Sequence, residues 1–211
     1  MIERILFALC SGLCLFATPA PAAPGPADLD RIYQALARGR FAAAAANLQR
    51  VVVQTGPSLR NSGLKEKVLR RAIGTTRRFL AEKHPAAERD AARQVLCLSR
   101  AFFPGEELPG IENALRVGGG VQRPELIGKP SHPYTAVARR ARLQGTVIIE
   151  AVIDQEGCAR QPRVLKGLPL GLDQASLHAV QSWTFQPATL NGRIVAVYYT
   201  LTVTFNLSDP E

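Results

Sequence analysis

From residue 199 to residue 207 the chain alternates without a break. Tyr199, Leu201, Val203, Phe205 and Leu207 fall on one side of an extended strand, and Thr200, Thr202, Thr204 and Asn206 on the other. Successive side chains of a strand point to opposite faces, so one face is expected to be buried and the other wet. Such a strand is marginal alone and needs partners with an apolar cover. Residues 145–154 supply the first partner. Val147, Ile149, Ala151 and Ile153 share one face there, and Thr146, Ile148, Glu150 and Val152 the other. Both faces are fairly apolar, which predicts a central strand. Asp154-Gln155-Glu156-Gly157 is a turn in which glycine supplies a positive backbone angle, and residues 159–165 return as an antiparallel strand.

The cover is helical. Leu172, Ala175, Ala179, Val180 and Trp183 recur at helical spacing and predict a helix over 173–183 whose apolar side lies on the sheet. Asp173 is expected to cap its exposed N–H groups or to complement the dipole of its first turn. A short helix over 135–143 precedes the first strand and stops at Gly145, and Asn191-Gly192 makes a tight turn before the last strand. Residues 122–211 thus read as an α+β domain of two helices on a three-stranded antiparallel sheet.

The first half has a different period. Its apolar residues recur at three and four, which predicts helices over 28–37, 41–54, 64–83 and 86–103, broken at Gly39, Gly56-Pro57 and His84-Pro85. Residues 27–104 are therefore expected to form an all-α domain. Tyr33, Ala35, Gly39, Phe41, Ala44 and Leu48 are spaced like the turn of a tetratricopeptide hairpin, and a small helical bundle fits as well. Residues 105–121, with Pro109-Gly110 and Gly118-Gly119-Gly120, have the composition of a linker, and the domain boundary is placed near Gly120.

Ahead of all this, Arg4, an apolar run over 5–17 and Thr18-Pro19-Ala20-Pro21-Ala22 outline a Sec-type signal peptide over 1–22, cleaved after Ala22. A membrane span needs about 20 apolar residues, and this run is shorter. Cys10 and Cys14 follow leucines where a lipoprotein signal wants a small residue. The expected location is the periplasm, with an inner-membrane protein facing the periplasm as the alternative. Cleavage would leave Cys97 and Cys158 in a compartment that permits disulfides. Either the two are bonded, or Cys97 is a buried apolar helix residue and Cys158 a turn residue.

The net charge is +9, and most of the excess lies before Val121. Secretion makes nucleic acid an unexpected partner for that basic bias. It leaves an anionic envelope polymer or lipid head group, or a solvated basic face. The sequence holds 3 histidines, His84, His132 and His178, and none has a Cys, Asp or Glu at ligand or triad spacing that stands out. No glycine-rich loop with phosphate-binding spacing follows a strand and opens a helix, and Glu150 and Asp154 are too ordinary to nominate as an acid/base pair. No catalytic residue, cofactor or metal is expected.

One ordered set of residues points further: Tyr134, Gly145, Ile153-Asp154-x-x-Gly157, Leu172-Asp173, Trp183, Pro187-Ala188 and Asn191-Gly192. In that order they resemble the C-terminal domain of the TonB family, whose members couple inner-membrane energy to outer-membrane receptors. The chain departs from the family in having Tyr134-Thr135 where a Tyr-Pro pair is usual, in an apolar run without histidine, and in a helical block where transducers carry a proline-rich spacer. The resemblance implies a binding module and not an enzyme. It also implies capture of a receptor's TonB-box peptide on the edge of the final strand by strand addition. The residues expected to form that site are Val197, Tyr199, Leu201, Val203, Phe205 and Tyr134, with residues 123–134 beside them. The partners implied are an outer-membrane TonB-dependent receptor or another envelope protein. Two other readings are an anchored energy transducer, and a structural protein that forms a homodimer through its sheet and binds cell wall or lipid through its helices.

Overall fold

A computed structural model describes residues 26–55, 63–101, 111–130 and 134–207. The expected signal peptide over 1–22, Cys10 and Cys14, His132, and the 105–110 part of the expected linker lie outside the described residues. Four helices come first: α1 (Pro26–Ala37), α2 (Phe41–Thr55), α3 (Gly63–Ala81) and α4 (Ala86–Arg100). None of the described helices is long and apolar enough to cross a membrane.

The helices pack where the sequence periodicity places their apolar sides. Leu29, Ile32 and Leu36 of α1 meet Phe41, Ala44, Ala45, Leu48 and Val51 of α2, Leu69 and Ala72 of α3, and Ala92 and Val95 of α4 in one cluster. α1 ends because Gly39 turns to φ +67°, which brings the Arg40 amide to the Ala35 carbonyl at 2.8 Å. Glycine is favoured after a helix because it reaches this angle without a Cβ penalty.

The C-terminal half is built on β4 (Gly145–Ile153), which lies between β5 (Ala159–Lys166) and β9 (Val197–Phe205), antiparallel to both. The β4–β9 register is unbroken from Gly145 opposite Phe205 to Ile153 opposite Val197. Helices α5 (Ala136–Arg140) and α6 (Leu172–Gln181) accompany this sheet, and Ala138, Leu172, Val180 and Trp183 join its apolar face in a second cluster. The two-helix, three-strand core is thus present, and the sheet has a further member. The pair Leu115–Arg116 forms β1, which lies parallel to β9 and extends the order to β1-β9-β4-β5. The expected linker therefore contains a strand. Short strands β2 (Val121–Gln122), β7 (Ala188–Leu190) and β8 (Arg193–Val195) form a second sheet, and β3 (Glu125–Gly128) pairs with β6 (Thr184–Gln186). Asn191 and Gly192, at φ 51° and 76°, make the tight β7–β8 turn, in which both central residues need positive angles.

Two acidic residues behave differently from the expected pattern or add to it. Asp173 does not cap α6 but lies in its first turn, where its charge complements the helix dipole. Gly171 occupies the N-cap position, and the Asp173 carboxylate accepts the Leu168 amide at 2.7 Å, tying down the loop before the helix. Asp154 closes the β4–β5 turn by accepting the amides of Glu156 at 3.0 Å and Cys158 at 2.9 Å.

The two halves meet along α4, which touches β3 and β6. Cys97 of α4 and Cys158 form a disulfide with an S–S distance of 2.11 Å. Around it, Arg77 reaches Glu156 at 2.9 Å, and Arg100, 1% exposed, pairs with Glu156 and lies 3.5 Å from Asp154.

Candidate peptide-binding edge

Side-chain placement and main-chain direction along β9 separate into two sets. Val197, Leu201, Val203 and Phe205 turn into the core, between 0% and 5% exposed, and Tyr199 packs against the same cluster. Four of the residues expected to bind peptide are thus buried packing residues and present no side-chain surface to a partner. The reason lies in the alternation itself, because the apolar half of such a strand is the half that the sheet buries.

The outward main-chain groups belong to the other half. The Leu115 amide donates to the Ala196 carbonyl at 2.9 Å, so Ala196 faces the β1 side. Consecutive residues of a strand turn their N–H and C=O groups to opposite edges. Tyr198, Thr200 and Thr202 therefore face the same side as Ala196, while Tyr199, Leu201 and Val203 face β4. β1 pairs with Val197 and Tyr198 and goes no further. Beyond it Gly118, Gly119 and Gly120, at φ 137°, 57° and 88°, turn the chain into β2, which pairs with β7. Among the described residues, no strand pairs with β9 on this side past Tyr198. Thr200 and Thr202 thus each offer a donor and an acceptor at an open sheet edge, and both side chains are exposed.

Tyr134 does a structural job. Its hydroxyl donates to the Leu143 carbonyl, its ring meets Phe205 edge-on at 5.4 Å, and the Arg139 guanidinium lies 5.0 Å from its centroid. It fastens the exit of α5 to the end of β9. Thr135 caps α5 by accepting the Ala138 amide at 3.2 Å, and its hydroxyl donates to the Leu170 carbonyl at 2.7 Å. The segment expected beside the peptide is also engaged elsewhere, since Glu125, Leu126 and Gly128 pair with β6 and the Lys129 ammonium lies 4.9 Å from the Trp183 ring.

The exposed face of the sheet carries charges that sequence reading passed over. Glu150 of β4 lies opposite Thr200 of β9 and Arg163 of β5. One carboxylate oxygen accepts from Arg163 Nε at 2.9 Å and the other from Arg116 Nη1 at 3.2 Å. These bonds hold the Glu150 carboxyl below its ordinary range, the Arg163 bond first and Arg116 adding to it, with desolvation opposing. The Arg116 guanidinium also lies 5.3 Å from the Tyr198 ring. Arg116, Glu150, Gln161, Arg163 and Tyr198 line an open groove of about 350 Å³ directly beside the β9 edge. The signal in the sequence was Glu150 itself, a carboxylate inside an otherwise apolar central strand, which calls for cationic partners.

At the β4–β5 turn, burial pushes the Asp154 carboxyl above its ordinary range, offset by the Cys158 amide and by Arg100. Among the described residues no donor hydrogen-bonds its Oδ2, which lies 3.5 Å from Arg100 Nη1 and 3.7 Å from Arg160 Nε. His84 stacks on Phe79 with ring centroids 3.6 Å apart, and His178 is half-buried on α6. Among the described residues no group of His, Cys, Asp and Glu could hold a metal ion.

The family model of the Gram-negative bacterial TonB protein C-terminal matches residues 130–207. Protein TonB of Vibrio cholerae serotype O1 is 32% identical over 89 residues, which cover 41% of this chain and 36% of that protein. The chain thus spans about a third of the length of that relative. The solution NMR structure of the Pseudomonas aeruginosa TonB CTD aligns at 21% identity with a TM-score of 0.35, over 45% of this chain and 94% of that one, a likeness too loose to carry weight. The matched segment begins before Tyr134 and α5 and ends just after β9, so it takes in the α5–β4–β5–α6–β9 core, and residues 130–207 are a domain of the TonB C-terminal family.

Proposed function

We propose that this chain is a periplasmic binding protein in TonB-dependent outer-membrane transport, and that it captures an extended peptide by adding it as a strand to the β9 edge. The observation that carries this reading is the open edge at Thr200 and Thr202, where main-chain donors and acceptors continue the ladder that β1 begins. Main-chain bonding gives affinity in such additions, and alternate side chains give selectivity. The peptide is the TonB-box segment of an outer-membrane receptor, the partner class of the family to which residues 130–207 belong. The chain has no catalytic role in this reading. The helices α1 to α4 form the N-terminal half, tied to the sheet through α4 and the Cys97–Cys158 disulfide.

Thr202→Pro tests the proposal. The Thr202 amide faces outward, so proline removes a donor from the open edge and leaves the β4–β9 ladder intact, the position where sheets tolerate proline. Binding of a synthetic TonB-box peptide from a receptor of the same organism, followed by fluorescence anisotropy, should be lost in the folded variant. Unchanged affinity in a variant with native circular dichroism rules the edge out.

A further inference from the structure

β1 is itself a strand added to the β9 edge, and its chemistry describes what that edge accepts. It runs parallel to β9, with Leu115 opposite Val197 and Arg116 opposite Tyr198. Its hold is slight, since only those two residues pair and the Arg116 side chain remains 75% exposed. Yet Arg116 supplies something that the sheet lacks. Glu150 is 7% exposed, and its carboxylate is divided between two arginines. Arg163 comes from β5, which pairs with β4 over most of its length. Arg116 comes only with β1. A strand that displaced β1 without a donor at that position would leave one oxygen of a nearly buried carboxylate unpaired. The cost of an orphaned polar group is what lets such a site reject ligands that lack the matching group.

Resting on the strand-addition reading, the geometry points to Glu150 and Tyr198 as specificity-determining residues. They select an extended segment that runs parallel to β9 and places an arginine where Arg116 now lies, with β1 as the chain's own occupant of that subsite until the segment displaces it. Arginine fits better than lysine because its planar guanidinium can stack on the Tyr198 ring while donating to the Glu150 oxygen. The side chain before it falls on the opposite face of the added strand, as Leu115 does in β1. Gly118, Gly119 and Gly120 leave the strap free to swing away, because a turn without side chains meets little steric resistance when it re-forms.

The test uses the whole chain and a labelled synthetic peptide of residues 113–118, Asn-Ala-Leu-Arg-Val-Gly, beside a twin with norleucine in place of arginine. Leu115→Pro removes the amide that Ala196 accepts and so opens the edge. The folded Leu115→Pro chain should bind the arginine peptide about tenfold tighter than the native chain does, and about tenfold tighter than it binds the norleucine peptide. Glu150→Gln introduced into the same chain should erase that preference. Arg116→Gln gives a second route that leaves the β1 backbone intact, and it should also tighten binding of the arginine peptide. Equal affinity for the two peptides, or no gain from opening the strap, overturns the selection rule. If neither of these peptides binds while a TonB-box peptide still binds in a Thr202→Pro-sensitive way, the rule is wrong and strand addition stands. If no peptide binds the folded, opened chain, strand addition falls with it.

Discussion

The Leu115 amide meets the Ala196 carbonyl at 2.9 Å, and from that bond the outward direction of every second residue of β9 follows. Thr202 and Leu201 are neighbours with opposite duties: the first faces the open edge, and the second faces β4, where it lies opposite Ile149. Proline should therefore have unequal effects at the two positions. Leu201→Pro removes a ladder bond from the central pair and should cost about 3 kcal/mol or more. Thr202→Pro should cost at most about 1 kcal/mol. Urea unfolding midpoints of the two variants check this.

The disulfide between Cys97 and Cys158 closes a loop with a sequence separation of 61. On the chain-entropy model a loop of that length contributes roughly 4 kcal/mol by restricting the unfolded chain. Replacing both cysteines by serine should lower the unfolding free energy by about that amount. The loss should appear in the helical half as well as in the sheet, because Cys97 lies on α4. Thermal melts of the double variant, with far-ultraviolet and near-ultraviolet signals compared, check both points.

Gly157 and Gly192 both have positive φ, at 88° and 76°, but differ in what surrounds them. A Cβ on Gly157 would lie 2.0 Å from the Phe185 carbonyl oxygen, whereas one on Gly192 would meet nothing within 4 Å. Gly192→Ala should cost about 1 kcal/mol through backbone strain alone. Gly157→Ala must also push apart the main-chain contact in which Phe185 donates to Gly157 at 2.8 Å, and should cost well over that. Soluble yield and melting temperature of the pair provide the comparison.

The two shifted carboxylates pull stability in opposite directions with pH. Asp154 is raised, so the native state holds its proton more firmly than the unfolded chain between the ordinary value and the raised one. Its burial costs stability above that window, and the cost is relieved as pH falls through it. Glu150 is lowered, so its contribution is fully present above its ordinary value and is lost as pH falls through the lowered one. Asp154→Asn keeps a carbonyl oxygen for the Glu156 and Cys158 amides and removes the titration. The variant should lack the gain that the native chain shows on acidification toward about pH 4. Urea midpoints at several pH values should show the difference, and identical pH profiles would contradict the burial of Asp154.

Much of this fold is legible in the sequence because long elements repeat their period often enough to be read. The helices over 28–37, 41–54, 64–83 and 86–103 differ from α1 to α4 by a few residues at their ends. β4, β5, α6 and β9 likewise sit where alternation and helical spacing put them. Strands such as β1, β2 and β6 are too short for alternation to show, and they exist because a partner strand offers open main-chain groups. The composition of 105–121 spoke for a linker, and Leu115–Arg116 became a strand through tertiary pairing alone. The site was half legible. Alternation marks β9 as a strand, but the apolar residues it singles out are the ones the sheet buries, and which residues turn their main-chain groups to the open edge follows only from the pairing with β1. Arg116, Glu150 and Arg163 meet only after β1, β4 and β5 are assembled, so no spacing in the sequence reveals them.

Capture of peptide at the β9 edge is tested most directly by titrating the isotope-labelled chain with an unlabelled TonB-box peptide and following its backbone amide resonances. Binding by strand addition requires the Thr200 and Thr202 amides to shift and to become protected from solvent exchange, while Leu201 and Val203, already turned toward β4, change little. Shifts confined to β5 or to the helices, with Thr200 and Thr202 unmoved at saturation, would show that the peptide binds elsewhere and that the open edge is not the site.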